Sequence, residues 1–204
     1  MKRLTACVLV AAVLWFVMFS PWTAPYLNFW YAMTGSACIL LALSFRHSHS
    51  LKHPSGEFVR QMALGVSFAL ALWFVFWIGD KLSQMLFDFA RSQVDLIYGM
   101  KADNRSWLIG LLLLLIIGPA EEIFWRGYVQ KTLSAHWNPD KGFIVSTLIY
   151  TAIHIPSGNF MLVMAAMVCG VAWGGLYRLL PQFFPAIVLS HALWDAAAFV
   201  WFPF

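Results

Sequence analysis

Six ionisable side chains stand where an apolar chain should not carry them: Glu121, Glu122, Arg126, His154, His191 and Asp195. Each lies inside a helical, otherwise hydrophobic run. A charge at mid-bilayer costs at least ~2.5–3.5 kcal/mol on insertion scales. Six in one small bundle are tolerable only if they meet one another or line a wet cavity. An intramembrane polar site is therefore the first expectation, and acid–base hydrolysis is the chemistry that carboxylates and imidazoles in that setting can perform.

Helical spacing decides which groups share a face. Glu122 and Arg126 are four residues apart, as are Tyr150 and His154, and His191 and Asp195. Such pairs stand one above the other. Glu121 is rotated about 100° from Glu122 and faces a different neighbour. Depth agrees with convergence. At ~1.5 Å per residue, Glu121 lies about 22 Å from the turn near His136, and His154 about 18 Å from the other end of that turn. With the last span starting near Phe183, His191 and Asp195 fall at about 12 and 18 Å from the same side.

The elements that must position these groups follow from composition. Of 204 residues, 61% are hydrophobic and 11% charged, against roughly 25% charged in a soluble domain. Mean hydropathy is +0.74. A soluble enzyme, a disordered tail and a disulfide-stapled secreted domain are excluded. The expectation is an all-α, polytopic membrane helix bundle, one integral domain over 1–204 with about seven transmembrane helices and one amphipathic surface helix. Spans are expected at about 4–20, 26–45, 61–79, 106–135, 143–155, 160–179 and 183 to the end. Residues 80–105 repeat Leu82, Met85, Leu86, Val94, Ile97 and Tyr98 at helical spacing and read as a helix lying along the membrane surface.

Net charge is +4, but the cations sit in short loops between apolar runs, so nucleic acid is not the expected partner. With alternating spans, nine Lys and Arg fall on the side of the N-terminus and four on the other. That bias places the N-terminus in the cytoplasm and the C-terminus outside. Residues 1–19 look like a signal peptide without a small-x-small cleavage site and read as a retained first span. Cys7, Cys38 and Cys169 stand singly, which points away from redox or metal–thiolate chemistry. His47, His49 and His53 crowd one loop and read as solvated. Gly170, Gly174 and Gly175 suggest close helix packing.

The order and spacing of the polar residues resemble a known family. Glu121-Glu122-Ile123-Phe124-Trp125-Arg126-Gly127 reads EExxxRG, a later helix ends in His154, and the last carries His191-Ala192-Leu193-Trp194-Asp195, or HxxxD. This is similar to the CPBP family (CAAX proteases and bacteriocin-processing enzymes, the Abi type). The likeness covers about residues 106–200 and marks 106–204 as a CPBP-like catalytic core behind N-terminal spans at 1–105. Two positions depart from the family pattern: Tyr150 opens the middle motif where Phe or His is usual, and Asp195 stands where Asn is common.

The resemblance implies an intramembrane endopeptidase of the glutamic type, formerly described as a metalloprotease, acting on a membrane-associated or lipid-modified protein or peptide near the cytoplasmic side. By the same resemblance Glu121 is the general base, His154 holds and polarises the water, and His191 with Asp195 faces the developing oxyanion. Glu122 and Arg126 are supporting, and Tyr150 is a wall residue. No cofactor is required on this reading. The alternative is zinc on Glu121, His154 and His191, a ligand set zinc accepts, although no HExxH spacing is present. Two other classes compete: a non-catalytic membrane protein of the same fold, serving bacteriocin immunity or sorting, and a small transporter. A transporter is expected to show a repeat between halves, and the sequence has none. The compact chain suggests a bacterial inner-membrane protein whose partners are the bilayer and a membrane-associated substrate.

Overall fold

The computed structural model describes residues 1–44, 57–101 and 104–204. Loop histidines His47, His49 and His53 lie outside the described residues. Among those described, every regular element is helical. In chain order the elements are α1 (Lys2–Phe19), α2 (Phe29–Ser44), α3 (Phe58–Leu86) and α4 (Ala90–Gly99). They continue with α5 (Ser106–His136), α6 (Pro139–Ala152), α7 (Phe160–Leu179) and α8 (Pro181–Trp201).

Five of these, α1, α3, α5, α7 and α8, are long and apolar enough to cross a bilayer. Within the described residues α2 has 16 residues and α6 has 14, about 24 and 21 Å, against a ~30 Å hydrocarbon core. Of the seven expected spans, five meet that length among the described residues, and α2 and α6 are shorter helices. Leu9, Val13, Leu70, Leu115 and Ile144 point outward. Such a belt suits lipid: the chain is an integral membrane protein.

Local sequence explains the boundaries. α1 stops before Pro21, which cannot extend a helix. Asn138 caps α6, its side chain accepting from the Lys141 amide at 2.8 Å, and Pro139 occupies the first helical position where no N–H is needed. Asn159 caps α7 through the Leu162 amide at 2.9 Å. Between them Gly158 takes φ of 62°, a left-handed turn suited to glycine.

The amphipathic segment is divided rather than continuous. Leu82, Met85 and Leu86 complete the last turns of α3, whereas Val94, Ile97 and Tyr98 belong to the separate ten-residue α4. The break falls at Phe87, whose backbone is extended. Its ring packs against Phe89 and Phe160 at 5.3 and 5.6 Å, so an aromatic corner turns the chain. α4 is then pinned at both ends. Gln93 Oε1 accepts from the Met161 amide at 3.0 Å, and Lys101 Nζ donates to the Phe199 carbonyl at 2.9 Å.

Close helix approach sets the site. A Cβ on Gly118 of α5 would meet the Ala192 Cα of α8 at 2.8 Å. On α7, Cβ atoms on Gly170 and Gly174 would press on Thr147 and Phe143 of α6 at 3.0 and 3.1 Å, while one on Gly175 would meet nothing nearer than 4.0 Å. Two of the three expected packing glycines are therefore in tight contact.

Candidate active site

Glu121 and Glu122 stand in one α-helical turn, Gly118–Phe124. π-helical turns flank it on either side, at Leu113–Ile117 and Trp125–Gln130. The first has a covalent cause. Pro119 has no N–H to return to Leu115, and the Gly118 amide reaches back five residues to the Leu113 carbonyl. Each π turn takes in an extra residue and re-aims the side chains beyond it. Regular 3.6-residue counting along this helix could not show that.

Around this turn the side chains form one connected cluster. The Tyr150 hydroxyl donates to Glu121 Oε2 at 3.1 Å. Glu122, fully buried, accepts twice at Oε1: from Arg126 Nη1 at 2.6 Å and from His191 Nδ1 at 2.7 Å. Arg126 also donates to the Cys169 carbonyl at 3.3 Å. Its guanidinium lies 5.0 Å from the Tyr150 ring and 5.8 Å from the Trp173 ring. Trp173 stacks face to face on His191, centroids 3.7 Å apart. The other nitrogen of His191, Nε2, stands 3.4 Å from Asp195 Oδ2. His191 is thus gripped between two carboxylates, with an indole covering one face.

His154 is held differently. Its Nδ1 lies 2.7 Å from the Tyr150 carbonyl, an acceptor only, so this nitrogen carries the proton. Nε2 is then the lone pair that accepts the Trp15 indole N–H at 3.1 Å. Trp15 is completely buried in α1. Both nitrogens of His154 therefore have protein partners.

A cavity of about 420 Å³ joins these groups. Glu121, Tyr150, His154, His191 and Asp195 all line it, amid apolar walls from α2, α3, α4 and α7. Glu122 and Arg126 lie behind the wall. The structure thus brings Glu121, His154, His191 and Asp195 to one space and places the supporting pair beneath it.

Zinc does not fit the residues as they stand. Among the described residues no group of three His, Cys, Asp or Glu side chains is arranged to hold a metal. His154 Nε2 already accepts from Trp15, and His191 already faces a carboxylate at each nitrogen.

Several contacts escaped the sequence reading. Tyr150 is a hydrogen-bond donor to Glu121 as well as a wall. Glu122 serves His191 as well as Arg126. Trp15 and Trp173 were two of eleven tryptophans with nothing in their spacing to single them out. The one available signal for Trp15 was that a buried indole N–H needs an acceptor.

An all-helical membrane protein with carboxylates and imidazoles around a mid-bundle cavity is the class that fold and site define. Residues 103–197, slightly less than half of the chain, match the family model described as "Type II CAAX prenyl endopeptidase Rce1-like". The matched segment, which carries the polar cluster, is similar to the CPBP family. No curated protein and no solved structure matches the chain.

Proposed function

We propose that the protein is an intramembrane endopeptidase in which Glu121 activates a water molecule against a peptide carbonyl. The observation that carries this reading is the shared cavity: the carboxylate of Glu121 opens onto the same space as His154, His191 and Asp195. Tyr150 occupies Oε2 of Glu121, leaving Oε1 to take the proton as the water oxygen bonds to the carbonyl carbon. That proton then passes to the leaving amine as the C–N bond breaks. General-base assistance of this kind contributes about 10²–10⁴-fold.

Negative charge that develops on the carbonyl oxygen needs a preorganised donor. His191 is the candidate. Glu122 and Trp173 fix its ring, and its Nε2 contact with Asp195 is long at 3.4 Å, so an oxyanion can share that N–H. An ionised Asp195 cannot itself donate. We assign it to orienting His191.

His154 is assigned to positioning. It grips the Tyr150 carbonyl and thereby the hydroxyl that touches Glu121. Holding the water directly would require Nε2 to release Trp15, and this double engagement is the one observation that favours a non-catalytic membrane protein of the same fold.

The test is cleavage of membrane-anchored and lipid-modified peptides by purified protein. Turnover by wild type, lost in Glu121→Ala and unaffected by a chelator, supports the proposal. Equal turnover by wild type and Glu121→Ala refutes it, and activity abolished by the chelator and restored by zinc would establish the metal alternative.

A further inference from the structure

The cavity has a direction. Its lining comes from Phe19 at the end of α1, the start of α2, the end of α3, α4, residues 113–121 of α5, Tyr150 and His154 at the end of α6, residues 160–173 of α7 and the second half of α8. All of these lie between Glu121 and the end of the bundle that α4 covers. Among the described residues, nothing from 4–11, 58–72, 131–146 or 176–182 contributes. That opposite half is packed shut. Gln130 donates across to the Gly174 carbonyl at 2.8 Å, and Thr147 to the Gly170 carbonyl at 3.2 Å. Arg126 and Glu122 fill the floor directly beneath the site.

The two ends of the bundle also differ in charge. Lys81, Arg91, Lys101 and Arg105 flank the end that α4 covers. At the closed end, among the described residues, stand Lys2, Arg3, Arg60, Lys131, Lys141 and Arg178. Cytoplasmic ends carry the excess of Lys and Arg. The closed end is therefore the cytoplasmic one.

We infer that water and substrate reach Glu121 from the α4 end, and that this end faces away from the cytoplasm. The substrate class is then a polypeptide segment anchored in, or emerging from, the outer leaflet. Its apolar or lipid-bearing part lies along the cavity wall, and its scissile bond enters from the α4 side. This rests on the endopeptidase reading for the word substrate and on nothing else from it. It also departs from the expectation of a cut near the cytoplasmic side, which came with the family resemblance.

The test is sided thiol labelling with a membrane-impermeant maleimide, on spheroplasts and on inside-out vesicles. Wild type, with Cys7, Cys38 and Cys169, gives the background. Gly79 lines the cavity, and a Cβ there meets nothing within 4 Å, so Gly79→Cys adds a thiol without a clash. Ser92→Cys, on the exposed face of α4, reports the same end should Gly79→Cys fail to accumulate. Lys141→Cys marks the closed end. The expected result is at least tenfold faster labelling of Gly79→Cys or Ser92→Cys in spheroplasts, and of Lys141→Cys in inside-out vesicles. The reverse pattern, equal labelling from both sides, or a Gly79→Cys thiol inert from both while Ser92→Cys reacts, overturns the inference. No turnover is needed for this readout, so loss of the protease assignment and loss of the sidedness assignment are separate results.

Discussion

Residues 104–204 and residues 1–101 build the same cavity with different materials. The later segment supplies every ionisable group in contact with the cluster: Glu121, Glu122, Arg126, His154, His191 and Asp195. The earlier segment supplies mainly rings and aliphatic walls, with Asp80 and Ser83 on the lining, and one polar contact to the cluster, the Trp15 indole N–H on His154. Chemistry constrains residue type and atom position together, so it concentrates on three helices at recognisable spacing. A wall asks only for apolar volume, which many sequences provide. The family match covers the first kind of material and stops short of the second. Trp15 is where the two meet.

The sharpest contrast between the halves comes from the buried ion pair. Arg126→Ala leaves Glu122 and its hydrogen-bonded His191 with a carboxylate lacking its guanidinium, and breaking such a pair costs about 3–5 kcal/mol. We expect a lower melting temperature together with complete loss of turnover, read by thermal scanning in detergent beside the cleavage assay. An unchanged melting temperature would remove Arg126 from the structural role given to it. His191→Gln should lower kcat by about 10²–10³-fold, the cost of one oxyanion donor, with KM little changed. A change confined to KM would mean that His191 binds substrate without stabilising the transition state.

Trp15→Phe tests whether the N-terminal half is more than a wall. It keeps an aromatic ring and deletes one buried N–H, a loss of about 1–3 kcal/mol. A roughly tenfold fall in kcat should follow, with the nitrogen-15 resonance of His154 Nε2 shifted while the proton stays on Nδ1. Full activity with an unaltered spectrum would reduce Trp15 to packing. At the small end of the scale, Leu115→Ala faces outward and should shift stability by no more than about 0.5 kcal/mol. A large effect there would mean that the outward belt is an interface.

The legibility of the molecule in its sequence divides along the same line. α1, α5 and α7 were readable almost to the residue, because proline, asparagine caps and long apolar runs leave local marks. The polar cluster was readable too, since intramembrane charge is costly enough to require a partner. The end of α3 was harder to place. Apolar residues at helical spacing ran on through Leu82–Tyr98, and only the aromatic corner at Phe87, formed with the distant Phe160, divides them. α6 was read as a full span from hydropathy, which does not register that the Asn138 cap and the turn after Ala152 hold it to 14 residues. The partners of His191 and His154 were the least legible. Glu122 to His191 and Trp15 to His154 span 69 and 139 residues of sequence, and the π turns beside Glu121 shift the facing that regular spacing would give.

The most direct measurement of the central claim is kcat for Glu121→Gln beside wild type, on one membrane peptide, with melting temperatures recorded for both. The exchange keeps shape and removes the base. A fall of about 10²–10⁴-fold at an unchanged melting temperature is the result expected. Undiminished kcat in the folded variant would contradict the account.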